Sequence, residues 1–185
     1  MATNRASKGG EPAIVLLRAV NVGSVNRIAM TDFKRVLAGL GASRVETYVQ
    51  SGNAVVDLPA KGLATKVADA LNTELSLAVG VVAVTASELA AVVAANPWPE
   101  LAATPKQLHA VFCDAPVDPA ALAAVGTKHG DDEIAAGPRC LYVKYSSQSH
   151  NSPLVKVLKK WPGVTTARNW ATVQALVELS EAAKA

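Results

Sequence analysis

Arg44-Val45-Glu46-Thr47-Tyr48-Val49-Gln50-Ser51-Gly52-Asn53-Ala54-Val55-Val56-Asp57 is the stretch on which the fold turns. Two runs rich in β-branched and aromatic residues, Arg44–Gln50 and Asn53–Asp57, are broken only at Ser51-Gly52. Glycine tolerates the positive φ of a tight turn, so the stretch reads as an antiparallel hairpin. Before it, Ala13–Ala19 is a strand with apolar residues on both faces: Ile14, Leu16 and Arg18 share one side, Val15, Leu17 and Ala19 the other. A polar loop, Asn21–Asn26, leads to a helix expected to be capped by Thr31. Its Phe33, Val36, Leu37 and Leu40 recur at helical spacing, and Gly41 is placed to end it. After the hairpin, Leu63, Val67 and Leu71 form one stripe of a helix over Lys61–Leu75, and Ala78–Val84 is a fourth strand. The order is β-α-β-β-α-β, the ferredoxin-like pattern of an α+β fold, with right-handed crossovers expected.

The rest of the chain repeats that order less plainly. Thr85-Ala86-Ser87-Glu88 is a capping box that opens a helix, which stops before Asn96-Pro97-Trp98-Pro99. Gln107–Cys113 reads as a strand, and Asp118 starts a short helix over Pro119–Val125. Glu133–Ala136 and Arg139–Tyr145 form a hairpin turning at Gly137-Pro138. Ser152 caps a helix with Pro153 at its first position and Leu154, Val157, Leu158 and Trp161 on one face. Pro162-Gly163 ends it, Val164–Ala167 is extended, and a last helix runs from about Trp170 to Ala183. The expected division is a disordered arm over 1–12, one ferredoxin-like subdomain over 13–84, a connecting helix and loop over 85–104, and a second ferredoxin-like subdomain with a C-terminal helix over 105–185. No residue-level repeat links the halves. Strand 13–19 needs a cover on its second face, and the other half is the expected one.

Half of the 185 residues are apolar, and 18 Lys and Arg against 15 Asp and Glu leave a formal charge of +3, which points to no particular partner. Charge distribution is more informative. No acid lies between Glu133 and Glu178, yet Arg139, Lys144, Lys156, Lys159, Lys160 and Arg168 do. Such a stretch is either a solvated face or an attractor of anions. Cys113 and Cys140 sit in apolar strand-like runs, which suits a reducing compartment and argues against a disulfide framework. The apolar run Ala13–Leu17 is too short for a signal peptide and ends at Arg18, and Leu75–Val84 is too short to span a bilayer. The expected location is the cytoplasm, away from membranes.

Chemistry should gather where topology gathers polar side chains. The two strands of a β-α-β crossover run the same way, so the loop after the first lies beside the turn after the second. Arg18, Asn21, Gly23 and Asn26 are thereby expected beside Gln50, Ser51, Gly52 and Asn53. Amides and a guanidinium can serve several donors and acceptors of a polar ligand at once. The competing reading is that Asn and Ser next to Gly only hold their own turns. Farther on, Asn169 can cap the last helix with Arg168 beside it, an arrangement that suits an anion. The competing reading is a capped helix anchored by Trp170. His109 and Cys113 share a strand face but have no second ligand pair, so no metal is expected. Glycine-rich phosphate loops and a Gly-x-Ser-x-Gly elbow are missing, so no cofactor is expected and no catalytic residue is assigned.

Three ordered motifs carry a resemblance: Leu16-Leu17-Arg18-Ala19-Val20-Asn21-Val22-Gly23, Thr47-Tyr48-Val49-Gln50-Ser51-Gly52-Asn53, and Thr166-Ala167-Arg168-Asn169-Trp170-Ala171-Thr172-Val173. Together they resemble a widespread bacterial family of uncharacterised proteins known as domain of unknown function 1697. The resemblance covers almost the whole chain after the arm and implies two packed ferredoxin-like subdomains. It supplies no activity. Ala19 and Ser24 stand where members often have Gly.

The sequence thus supports a cytosolic protein that binds a small anionic or polar ligand in a cleft of Arg18, Asn21–Asn26, Gln50–Asn53 and Arg168-Asn169. Two alternatives belong to other classes. One is a nucleic-acid binder using the basic segment Arg139–Arg168, although the aromatic strand consensus of RNA-recognition modules is missing. The other is a structural or protein-interaction module whose motifs serve folding.

Overall fold

A computed structural model describes residues 10–183. Most of the expected arm lies outside the described residues. At its end Pro12 is buried, its carbonyl accepts the Ala86 N–H at 3.0 Å, and the Glu11 carboxylate accepts the Ser87 N–H.

The first half contains β1 (Ala13–Leu17), α1 (Met30–Gly39), β2 (Val45–Tyr48), β3 (Asn53–Val56), α2 (Leu63–Leu75) and β4 (Val81–Thr85). Its strands form one antiparallel sheet in the order β2-β3-β1-β4. Because β3 lies antiparallel between β1 and β2, those two strands run the same way. Their C-terminal ends therefore share one edge of the sheet.

The second half contains α3 (Ala86–Ala94), β5 (Leu108–Cys113), α4 (Pro119–Val125), β6 (Lys128–His129), β7 (Asp132–Gly137), β8 (Cys140–Lys144), α5 (Leu154–Leu158), β9 (Thr165–Asn169) and α6 (Trp170–Ala182). Its sheet runs β6-β7-β8-β5-β9, again antiparallel. Apart from β6, the path β7-β8-β5-β9 retraces that of the first sheet.

All five residues of β1 are fully buried, and they face two different cores. Val15 and Leu17 pack with Phe33, Leu37, Val67 and Leu71 under α1 and α2. Ile14 and Leu16 pack the other way, against Leu89 of α3, Phe112 of β5 and Trp170 and Leu176 of α6. The second half covers the second face of β1, as the strand's two-sided apolarity requires. At about 1.5–3 kcal/mol per large apolar side chain removed from water, this middle layer is a main source of cohesion between the sheets. A third cluster, including Val111, Leu141, Leu154 and Trp161, lies under α4 and α5.

Several local expectations are corrected. Thr31 does not cap α1, which begins one residue earlier behind Ala29 and has no side-chain cap. The first hairpin pairs Tyr48 with Asn53, so its loop is Val49–Gly52 rather than Ser51-Gly52 alone. The second pairs Gly137 with Cys140 and turns on Pro138-Arg139, with Arg139 at φ +67°. Strand β6, only two residues long, has no sequence signature. The capping box at Thr85 and Glu88 and the Asp118 cap form as expected.

Candidate functional site

The first motif leaves β1 at Leu17 and turns sharply. Ala19, Asn21 and Asn26 all have positive φ, near +50°. Ala19 therefore occupies a left-handed conformation that glycine takes without cost, at the position where the resembled family often has Gly. The Asn21 amide is spent on the loop itself: Nδ2 donates to the carbonyls of Ile28 at 2.9 Å and Gln50 at 2.7 Å, and Oδ1 accepts the Ile28 N–H at 3.0 Å. Asn26 donates to the Ala19 carbonyl at 3.2 Å.

The second motif closes against the first. Gly52 has φ +73°, and a Cβ there would stand 2.7 Å from Leu17 Cβ, so only glycine lets the turn approach β1 this closely. The Leu17 N–H then donates to the Gly52 carbonyl at 2.8 Å. Asn53 is fully buried and donates to the Tyr48 carbonyl at 3.0 Å and Ser51 Oγ at 2.9 Å.

Arg168 of β9 locks the third motif onto the first two. Its side chain is nearly enclosed, at 7% exposure for the residue. Nε donates to Asn53 Oδ1. One terminal nitrogen donates to Thr166 Oγ1 at 2.6 Å and the Ala167 carbonyl at 2.8 Å. The other donates to the carbonyls of Leu17 at 2.8 Å, Ser51 at 3.1 Å and Gly52 at 3.3 Å. None of these acceptors is a carboxylate. Burial pushes the Arg168 pKa down to about 10, which leaves it charged at neutral pH. Next to it, Asn169 Oδ1 accepts the Thr172 N–H at 2.9 Å and caps α6.

These contacts border a cleft of about 590 Å³. Arg18, Ser51, Arg168 and Asn169 line it, whereas Asn21, Gly23, Asn26, Gln50, Gly52 and Asn53 do not. The second half also contributes His109, which pairs with Asn169 across β5 and β9, together with Tyr145, His150 and Lys159, and Val111 and Leu158 are among the apolar lining residues. No Asp or Glu is among the lining residues. Among the described residues Arg18 has no side-chain hydrogen bond, and the ion pairs are formed by Arg35, Arg139 and Lys144.

The sequence weighed His109 only as a metal ligand and offered no role for Tyr145 or for Lys159 beyond its place in the basic run. His150 lines the cleft, as does Ser51. The signal for these residues was the acid-free run after Glu133, which holds all but His109. Burial lowers the His109 pKa to about 4, so its imidazole is neutral at physiological pH. Its Nδ1 is buried without a hydrogen-bond partner, and its ring meets Tyr145 edge-on at 5.0 Å. Burial, then the negative charge of Asp132, raises the Tyr145 pKa to about 12.

The segment bearing His150 is pinned by Asp132, which is only 4% exposed. Its carboxylate accepts the Ser146 N–H at 2.7 Å, Ser146 Oγ at 2.8 Å and Ser152 Oγ. Burial opposes ionisation of Asp132, but these hydrogen bonds outweigh it and hold the carboxyl below its ordinary range. Among the described residues, no group of three or more His, Cys, Asp and Glu could hold a metal ion, and no helix is long and apolar enough to cross a membrane.

No curated protein matches the chain. Among solved structures it is similar to the conserved bacterial protein SP0830 from Streptococcus pneumoniae, with a TM-score of 0.73 at 20% identity over 92% of this chain and 98% of that one. That likeness bears on the fold. A family model described as a protein of unknown function (DUF1697) matches residues 11–142, a span that holds the first two motifs and the three strands β1, β2 and β3 that carry them, and the chain belongs to that family.

Proposed function

We propose that this is a cytoplasmic protein that binds a small anionic ligand in the cleft bordered by Arg18, Ser51, Arg168 and Asn169. One observation carries the reading: the cleft is lined by Arg18, Lys159, His150 and a buried, carboxylate-free Arg168, with no acid among its lining residues. A cationic concavity with low-dielectric walls concentrates anions. Arg168 has its donors occupied within the chain, so its contribution is charge and shape, while Arg18 supplies open donors. The amides of Asn21, Asn26 and Asn53 hold the rim.

The nucleic-acid alternative draws less support. Arg139 pairs with Glu88 at 3.2 Å, Lys144 with Glu133 at 2.8 Å, and Arg168 is enclosed. That leaves Lys156, Lys159 and Lys160 of the basic segment for phosphates. A purely structural role leaves the unpaired Arg18 unexplained.

We also read each half as a ferredoxin-like subdomain, over 13–84 and 105–185, joined by the connector 85–104. The support is the strand order β2-β3-β1-β4 recurring as β7-β8-β5-β9.

Thermal-shift titration with inorganic phosphate, pyrophosphate and sugar phosphates tests the cleft. A ligand at about 100 times its Kd adds roughly 2.7 kcal/mol of stability. Arg18→Ala is expected to abolish the rise. Melting temperatures unmoved by every anion would end the proposal.

A further inference from the structure

Among the described residues, the exposed large apolar side chains are three valines: Val22 at 63%, Val25 at 59% and Val49 at 52% exposure. Singly such side chains need no explanation, but these three share two adjoining loops. Val22 and Val25 pair across Gly23-Ser24 as an isolated antiparallel bridge. The Asn21 amide donates to the Gln50 carbonyl at 2.7 Å and so ties that turn to the loop carrying Val49. The Asn21 N–H donates to the Asn26 carbonyl at 3.1 Å, and Asn26 Nδ2 to the Ala19 carbonyl at 3.2 Å, which hold the first loop in shape. The valines thus face water on a braced scaffold. Val49 has φ +48°, a conformation that suits Asn or Gly and disfavours a β-branched side chain. Neither its backbone nor its exposure calls for valine, which points to a use outside the fold.

Charge indicates the partner. The chain from Pro12 to Thr31 holds Arg18 and Arg27 and no acid. Arg27 is exposed on the first loop and, like Arg18, takes part in none of the ion pairs among the described residues. Val22 and Arg18 both line the cleft. We infer that the two loops dock an acidic segment of another protein. Its apolar side chains cover Val22, Val25 and Val49, and its carboxylates meet Arg27 and Arg18. The inference rests on the anion-binding reading only in its use of Arg18. A second copy of the chain fits worse, because an isologous contact sets the arginines of one rim against those of the other. A bilayer fits worse too. Polar Asn26 and Gln50 stand among the valines, and both loops lack the aromatic and leucine side chains that anchor proteins at lipid interfaces.

Random peptides displayed on phage are selected on the full chain, and the most enriched peptide is synthesised and titrated by fluorescence anisotropy. Enriched sequences are expected to combine Asp or Glu with apolar residues, and binding should weaken as salt rises. The double variant Val25→Ser/Val49→Asn changes two side chains that face water outside the cleft. It should fold like wild type and lose at least about tenfold in peptide affinity. Arg27→Ala should weaken the peptide as well, and inorganic phosphate should shift the melting temperature of the double variant as it does that of wild type. No enrichment, or a peptide that binds the double variant undiminished, overturns the docking surface, and a phosphate shift then leaves the anion cleft standing. Peptide binding without any phosphate shift keeps the docking surface and ends the small-anion reading. Dimers of wild type, or sedimentation with phosphatidylserine vesicles, that the double variant abolishes overturn the inference in favour of a second copy or a lipid surface.

Discussion

Replacing Arg168 with alanine removes a side chain of the third motif that hydrogen-bonds to both of the others. Its Nε and its Leu17-facing nitrogen bond Asn53 Oδ1 and the carbonyls of Leu17, Ser51 and Gly52; the substitution removes all four bonds and strands Asn53 Oδ1 and the Ser51 carbonyl, while the Gly52 carbonyl keeps the Leu17 N–H and the Leu17 carbonyl keeps Thr166 Oγ1. Hydrogen bonds from a charged donor each contribute roughly 1.5–3 kcal/mol. They share one guanidinium and are not additive, and water from the cleft can re-solvate part of the space. We therefore expect a loss of about 3–5 kcal/mol, a large part of the roughly 5–15 kcal/mol that holds a typical domain folded. Arg168→Lys keeps the charge but has a single nitrogen, which cannot reach Asn53 and the Leu17 carbonyl together, so it should lose about 2–3 kcal/mol. Urea denaturation followed by tryptophan fluorescence measures both, since Trp170 packs in the middle layer. Arg168→Ala within about 1 kcal/mol of wild type would refute the argument that this guanidinium clasps the halves.

Two further outcomes follow from single residues. The His109 pKa falls from 6.5 to about 4 on folding, so the unfolded chain takes up this proton first and stability drains as pH falls from about 6.5 to 4. That interval corresponds to roughly 3 kcal/mol, reduced to about 2–3 because the ring is not fully enclosed; denaturant titrations at pH 7 and pH 4.5 should show a steeper loss in wild type than in His109→Leu, and parallel losses would remove the assignment. Ala19→Gly relieves about 1–2 kcal/mol of left-handed strain and costs about 0.4–1 kcal/mol through the freer unfolded chain, so a gain of about 0.5–1 kcal/mol is expected. A lower denaturation midpoint for that variant would show the loop conformation to be wrong.

The first half was legible because its signals agree with one another. Leu63, Val67 and Leu71 sit at one helical spacing and all are buried, and the apolar residues of β1 alternate between two cores as their sequence alternates between faces. Errors fell where tertiary contact overrides local preference. Thr31 lost its cap to a helix whose cap position lies two residues earlier, at Ala29, and Ser51-Gly52 widened into a four-residue loop with Gly52 pressed against Leu17. The site was half legible for a similar reason. Topology alone brings Arg18 to Ser51, since both follow strands that run the same way. Bringing His109, Tyr145, His150 and Lys159 to the same cleft depends on how two sheets stack, which no short motif encodes. Asn21, Asn26 and Asn53 bond within their own loops and do not line the cleft, whereas Asn169 does; a turn-holding amide and a cleft-lining amide look alike in sequence.

The clasp at Arg168 also sets an order of assembly. Its bonds to Asn53 and the Leu17 carbonyl span 115 and 151 residues of chain. On a ribosome, the first sheet can pair its own strands long before β9 is made, but its rim must wait, with the Leu17 carbonyl uncovered, until the last strand emerges. Contacts of such separation slow folding and leave apolar surface in view meanwhile. The nascent chain should therefore lean on chaperones late in its synthesis, and whatever the cleft receives can be received only by a finished molecule.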